Sequence, residues 1–378
     1  MLKQALSPAI ALTQRLIRDD TINPPGNETE TANYVAQHLR QAGFAIDTVL
    51  LADGRPNLIA HIGGSSTKPP LAFTGHLDTV PLGLAPWTVA PHGGDIKDGK
   101  IWGRGASDMK AGVAAFIAAA IDLAPRLINT AGIVLYITSG EETGCDGAFA
   151  VARSDKLGKA GALVVAEPTS NRPIVGHKGA LWLKAITKGV TAHGSMPDQG
   201  VNAVYKAARA ITALESFDFN VARHALMGAP TLNVGFSHGG LNVNSVPDRA
   251  EIGIDIRTIP GMQHSQLREH LASFLGPDVK LETIVDVESV YTDPQHPWMQ
   301  HVFAICETVQ GSKPKTETAP YFTDASALTP ALGGIPTVIL GPGPAHMAHQ
   351  TDEYCELSKI DEAVEIYCRL IADWCDLN

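Results

Sequence analysis

The chain has no CxxC pair, no cluster of basic residues, no apolar run of membrane-spanning length, no internal repeat and no low-complexity tract. Each absence excludes something. The five cysteines, Cys145, Cys306, Cys355, Cys368 and Cys375, are odd in number and scattered, so they read as reduced, buried thiols of a cytoplasmic protein. Cys145 comes close behind Glu142, but no histidine stands beside it to make a nucleophile. A formal charge of −10 without any basic cluster argues against nucleic-acid binding, while a cationic metal site would sit comfortably in that field. The apolar stretch 111–120 is too short to span a bilayer. Met1-Leu-Lys-Gln opens no charged region followed by an apolar core and cleavage site, so no leader is expected.

What is present is an ordinary globular composition, 44% hydrophobic and 18% charged, with 378 residues, more than one core usually fills. Two domains are expected. Helical periodicity over 7–18 and 28–42 is separated by Ile22-Asn-Pro-Pro-Gly26. Strands are expected at 44–49, 57–62, 71–73, 133–138 and 162–166, with a helix over 108–124 and a further element at 145–153. That succession predicts an α/β fold, a mixed, largely parallel sheet flanked by helices. From about Lys178 the pattern changes. Ile252, Ile254 and Ile256 alternate with Glu251, Gly253, Asp255 and Arg257, as in a sheet with one buried face. Strands at 180–188 and 249–257 with helices at 202–214 and 265–274 predict an inserted α+β domain over 178–290, with an antiparallel sheet and two helices. The first pattern resumes over 291–378, with helices at 297–309 and 358–374 and a strand at 337–340, so 1–177 and 291–378 form the catalytic domain.

The chemistry-bearing residues stand where apolar runs stop. His76 follows the strand at 71–73, and Asp78, two residues on, would share its side in extended chain and hold the imidazole in one tautomer. Asp108 lies at the mouth of the apolar helix, where a carboxylate gains from the helix N-terminus. Singly, these are a core histidine and a helix-capping aspartate. Together with Glu141-Glu142 and Glu167 after further strands, and Ala348-His-Gln-Thr-Asp-Glu353 near the end, they make a metal-type constellation. Ligands collect at the carboxyl ends of strands in such sheets, and histidines with carboxylates suit divalent metals, zinc first. Adjacent Glu141 and Glu142 do not easily ligate one ion together, so one ligand and one free base is the natural division. A free carboxylate there takes a proton from water and passes it to a leaving amine. By themselves the paired glutamates also fit a solvated acidic turn.

The motifs GHLDTVP, GRGASDMKAG, TSGEETG, AEPTS, HKG, TAHGSMPDQGVNA, DIRTIPGM, YFTDASAL and GPGPAHMAHQTDEY, in that order through nearly the whole chain, resemble those of the dizinc aminoacylase, acetylornithine deacetylase and succinyl-diaminopimelate desuccinylase family of metallopeptidases and deacylases. The resemblance implies two zinc ions per chain, replaceable by cobalt or manganese, and water activated at zinc as the nucleophile. It implies His76 and Glu167 on one ion, Glu142 and His349 on the other, Asp108 bridging, Glu141 as general base and acid, and Asp78 as the partner of His76. His346 is the fallback for His349. A cis peptide after Asp108 is implied too.

By the same resemblance the inserted domain makes a homodimer, and His193 stabilises the oxyanion in the partner subunit's site. Arg257 and Asn244 hold the substrate, Arg257 as a bidentate carboxylate clamp, and Thr323 contacts its backbone. On its own, Arg257 is a surface charge on an alternating strand. His177 and Lys178 match the deacetylase side of the family without an assigned chemistry. The expected reaction is hydrolysis of the amide of a small N-acyl amino acid, acetylornithine ranked first. HKG and GPGPAHMAHQTDEY point to the deacetylase, whereas Ile22-Asn-Pro-Pro-Gly-Asn27 and YFTDASAL recur among broad deacylases and peptidases, so a dipeptidase or carboxypeptidase is the second reading. A non-catalytic binding protein would be expected to lack Glu141 or a ligand, and none is missing.

Overall fold

The computed structural model describes residues 6–377. They divide into two compact units. The first comprises the chain up to Gly176, then Tyr291–Glu317, then the chain from Thr323 onward; the second comprises His177–Val290 and Thr318–Phe322. Segment 318–322 therefore departs from the expected partition. The reason is backbone pairing: the Ala319 carbonyl accepts the Lys178 N–H at 3.1 Å.

In the first unit the central sheet runs in the order Ala45–Ala52, Arg55–Ile62, Ile133–Thr138, Leu71–His76, Ala162–Val165, Thr337–Ile339, Ile174–His177. The strands from Ile133–Thr138 to Thr337–Ile339 are mutually parallel, and antiparallel pairings flank them on both sides. The sheet is thus mixed, with a parallel centre. Every residue of Leu71–His76, Ile133–Thr138 and Ala162–Val165 is buried, as continuous apolar runs covered on both faces require. Helix Lys110–Leu127 is buried along most of its length. With Leu357–Trp374 it shares one core around Phe73, Phe116, Val164 and Tyr367, where each large apolar side chain contributes about 1.5–3 kcal/mol.

Two glycines position this layer at the site. A Cβ on Gly112, in the helix, would strike the Ala166 carbonyl, and one on Gly341 would strike the carbonyls of Ala166 and Glu167. The turn carrying Glu167 is therefore approached closely from both sides. A second, small antiparallel sheet pairs Lys100–Trp102 with Asp95–Lys97 and with Tyr354–Glu356, Tyr354 opposite Trp102. It sets the stretch after Trp102 beside the stretch before Tyr354.

The second unit is an antiparallel sheet in the order Thr231–Gly239, Arg249–Thr258, Gly179–Lys188, Val279–Val287. Helices Ala203–Leu214 and His264–Leu275 join the sheet in one apolar core built on Leu181, Leu183, Ile252, Ile254, Ile256, Ala207 and Leu271. The expected alternation breaks at Gly253, which is buried; a Cβ there would collide with the Phe236 ring.

Several elements escaped the sequence reading: strands Thr231–Gly239, Val279–Val287 and Ile174–His177, the small sheet, and helix Ala325–Ala331. Val279–Val287, Ile174–His177 and Tyr354–Glu356 are sustained by pairing to distant chain, whereas Thr231–Gly239 and Asp95–Lys97 pair with the strands that follow them. Among the described residues, no helix is long and apolar enough to cross a membrane.

Candidate metal centre

Strands Ile133–Thr138, Leu71–His76 and Ala162–Val165 are neighbours and parallel, so their carboxyl ends meet at one edge. His76 is the last residue of its strand, paired with Thr138, so the strand runs three residues past the expected 71–73. Glu141 and Glu142 follow one neighbour and Glu167 the other. Asp108 arrives on the loop before helix Lys110–Leu127, and the peptide linking it to Met109 is cis. It does not cap that helix, whose N-cap is Met109 with no side-chain bond; its carboxylate turns to the histidines instead. His349 is delivered by the turn after Ala345–Met347 and takes φ 63°, a left-handed conformation uncommon for a side-chain-bearing residue.

The Asp108 carboxylate lies between two imidazoles. Oδ1 is 3.3 Å from His76 Nε2 and Oδ2 is 3.5 Å from His349 Nε2. Glu167 Oε1 stands 3.7 Å and Glu141 Oε2 3.9 Å from His76 Nε2, and Glu142 Oε2 is 3.1 Å from His349 Nε2. His346 is outside this cluster, its ring edge-on to Tyr354.

His76 Nδ1 sits 2.9 Å from the Asp78 main-chain carbonyl and donates to it, leaving the Nε2 lone pair facing the cluster. The expected side-chain contact accompanies this main-chain one, with Asp78 Oδ1 3.6 Å from His76 Nδ1. The Asp78 carboxylate also accepts Asn23 Nδ2 at 2.8 Å and the N–H groups of Glu141 and Glu142 at 3.2 and 3.3 Å. Asp78 thus anchors the loop that carries both glutamates.

The charges are unbalanced. Burial raises the Glu141 and Glu167 carboxyls well above the usual range and Glu142 less so. Burial would also raise Asp108, but the His349 and His76 imidazoles beside it hold it well below the usual range. Bonds to Asp108 and Glu142 push His349 up to about 10. Burial opposes the charged form of His76, and Asp108 with the surrounding carboxylates outweighs it, raising its pKa.

These observations fit a divalent metal. His76 Nε2 and Glu142 Oε1 are buried with no hydrogen-bond partner among the described residues, although buried polar atoms nearly always have one. Two acceptors facing each other, as Nε2 and the Asp108 oxygen do, need a proton or a metal ion between them. His76 with Glu141 and Glu167, and His76 with Asp108 and Glu142, each place ligand atoms within 4.8 Å of one another. The spacing alone therefore admits Glu141 as a ligand as well as a base.

Four buried residues that the sequence reading left without a role frame the centre: Asn23, Arg104, Asp324 and Glu353. All four stand inside motifs quoted above, which was the available signal. Asp324 accepts the Thr138 hydroxyl, and burial pushes it up to about 6. Cys145 is buried with Sγ 3.9 Å from Glu141 Oε1, and burial drives its thiol well up, which suits a donor and not a nucleophile. Thr323 is buried, and its Oγ1 accepts the Ala325 N–H at 3.2 Å at the start of helix Ala325–Ala331.

In the second unit His193 and Asn244 lie on adjoining exposed segments. His193 bridges to Ser245, and the Gly194 N–H donates to the Asn244 carbonyl at 2.7 Å. His193 Nδ1 is 2.8 Å from Ser195 Oγ. The Arg257 guanidinium pairs with Asp255 at 2.9 Å, so a substrate carboxylate would compete with an internal one. His177 is buried, its Nδ1 3.0 Å from the Lys178 carbonyl, and burial lowers it to about 4. Lys178 Nζ donates to the Ala229 carbonyl at 2.6 Å.

Comparison with known proteins is consistent across the chain. Residues 72–373 match the model of peptidase family M20/M25/M40. An acetylornithine deacetylase from Photorhabdus laumondii is 31% identical, covering 99% of both chains. A succinyl-diaminopimelate desuccinylase from Cereibacter sphaeroides is 30% identical, covering 97% of this chain and 98% of the other. Among solved structures, an M20 family metallo-carboxypeptidase from Sulfolobus solfataricus superposes with a TM-score of 0.79 at 19% identity, over 96% of this chain and 98% of that one. The match spans both the metal-type edge and the inserted sheet, and on it the chain belongs to peptidase family M20/M25/M40.

Proposed function

We propose that this chain hydrolyses the amide bond of a small N-acyl amino acid, with an acetylated or succinylated basic amino acid as the first substrate class to test. Membership of a peptidase family carries amide-bond hydrolysis; the deacylase reading follows the names of the similar proteins. The observation that carries it is the Asp108 carboxylate set between His76 and His349 with Glu141, Glu142 and Glu167 around them.

His76 and Glu167 would hold one ion and Glu142 and His349 the other, with Asp108 shared and zinc the first choice for these donors. When bound, such ions polarise a carbonyl and lower the pKa of water. Glu141 then takes a proton from water and returns it to the leaving amine. Burial raises its proton affinity, the direction that a group accepting and returning a proton needs. Asp78 keeps Glu141 and Glu142 in register, and Cys145 donates toward Glu141. His193 and Asn244 would serve the substrate carbonyl, His193 reaching the site of a partner subunit in a homodimer, and Arg257 would exchange Asp255 for the substrate carboxylate.

Purified protein is expected to carry up to two zinc ions per chain by elemental analysis and to lose hydrolysis on chelation. In a panel of N-acyl amino acids and dipeptides, N-acetyl or N-succinyl compounds should be turned over with the highest kcat/KM. A preference for dipeptides would assign the chain to the peptidase side of the family, and active protein without transition metal would overturn the metal reading.

The shared-site reading has its own test. Inactive His193→Ala and Glu141→Ala proteins are mixed under conditions that exchange subunits. Each mixed dimer then has one intact site, and random equal pairing restores about a quarter of wild-type activity. Persistent inactivity after demonstrated exchange would place His193 in its own chain's site.

A further inference from the structure

Arg104 and Glu353 form a fully buried ion pair at the base of the centre, 1% and 0% exposed, and neither belongs to the ligand set. Glu353 Oε2 accepts Arg104 Nη1 at 2.6 Å and the Gly105 N–H at 2.9 Å. Its Oε1 accepts the N–H groups of Ser107 and Asp108 at 2.7 and 2.9 Å. One carboxylate therefore accepts three N–H groups of the loop that ends at Asp108. The Glu353 carbonyl also receives the Gly103 N–H at 2.9 Å, which continues the Trp102–Tyr354 pairing of the small sheet. Burial pushes the Glu353 carboxyl up to about 7 against the pull of Arg104. The four converging donors leave no acceptor for a carboxyl proton, so the geometry is that of the carboxylate.

The guanidinium extends the connection. Arg104 Nη1 reaches the Gln350 carbonyl at 3.3 Å, Nη2 reaches the Pro81 carbonyl at 3.1 Å, and the plane lies 5.2 Å from the Trp87 ring centre. Three chain segments meet on this pair: the one running from His76 to Pro81, the one bearing Asp108, and the one bearing His349.

We infer that Arg104 and Glu353 are positioning residues that set the distance between Asp108 and His349 and so govern how tightly the second metal ion, on Asp108, Glu142 and His349, is held. The inference rests on the metal-site reading above. An isolated buried ion pair is weak evidence of stabilisation by itself. This one differs because its carboxylate spends its acceptors on the backbone of the Asp108 loop, four residues along the chain from His349. Partners outside the ligand set commonly tune metal affinity by roughly 10–100-fold.

Glu353→Gln keeps the volume but turns an NH2 toward one pair of donors. Zinc titration of metal-free protein against a chromogenic chelator should show two binding steps in the wild type. In Glu353→Gln the weaker step should loosen by about 10-fold or more while the tighter step is unchanged. Excess zinc should restore kcat with KM unaltered, which a merely misfolded variant would not do. Asp352→Asn, on the same turn, disturbs contacts to Thr88 and Val89 and should leave the titration as in the wild type. If Glu353→Gln does not fold, Arg104→Lys keeps the charge and loses the fork, and should weaken the same step. Wild-type affinity at both steps in whichever of the two variants folds would overturn the inference. Loss of metal from Asp352→Asn as well would do the same, by showing that the turn as a whole matters and not the ion pair. A wild-type protein that binds no zinc would overturn the underlying metal reading instead.

Discussion

Glu141→Gln should retain its zinc and lose 10²-fold or more in kcat, the scale of general base catalysis. The substitution is isosteric, so the loop held by Asp78 through the N–H groups of Glu141 and Glu142 should keep its place. What disappears is the ability to accept a proton. Glu141 is buried and its carboxyl is held well above the ordinary range by that burial, so no solvent base stands in easily. The measurement is kcat together with zinc content by elemental analysis on the same sample. The result matters because Glu141, His76 and Glu167 also have metal-competent spacing. A variant that sheds zinc would make Glu141 a ligand, and one that keeps most of its turnover would transfer the base role to Glu142.

Asp108→Ala should lose both ions and all measurable hydrolysis. Its two oxygens face different histidines, at 3.3 and 3.5 Å, so truncation removes a ligand from each side at once. Loss of metal charge stabilisation, several kcal/mol, corresponds to on the order of 10³-fold in rate or more. His349→Ala, at the exposed side of the cluster, should empty one position and leave the ion on His76 and Glu167. Zinc stoichiometry in the two variants separates the cases. An Asp108→Ala protein that still holds two ions would show that another carboxylate spans the pair.

The ligand types were legible in the sequence because each stands where an apolar run ends. Parallel strands with continuous apolar stretches could only be covered on both faces, and their ends then had to share an edge. His76, Glu141, Glu142 and Glu167 follow from that logic, and Asp108 from the polar turn ahead of helix Lys110–Leu127. The motif order carried the family, and strict alternation around Ile252, Ile254 and Ile256 carried the antiparallel nature of the inserted sheet.

The tertiary structure decided what spacing does not encode. Asp78 lies two residues from His76 and meets the imidazole through both its carbonyl and its carboxylate, but only the fold shows that the same carboxylate also holds the Glu141–Glu142 loop. Thr323 is buried, and folding brings its hydroxyl to the Ala325 N–H. Strand Val279–Val287 exists because a partner far along the chain, Gly179–Lys188, supplies its hydrogen bonds. Arg104 and Glu353 are 249 residues apart, and only the small sheet pairing Lys100–Trp102 with Tyr354–Glu356 brings them together. Local pattern dictates which side chains are apolar and where a run ends; which polar group satisfies a given buried N–H depends on contacts across the whole chain.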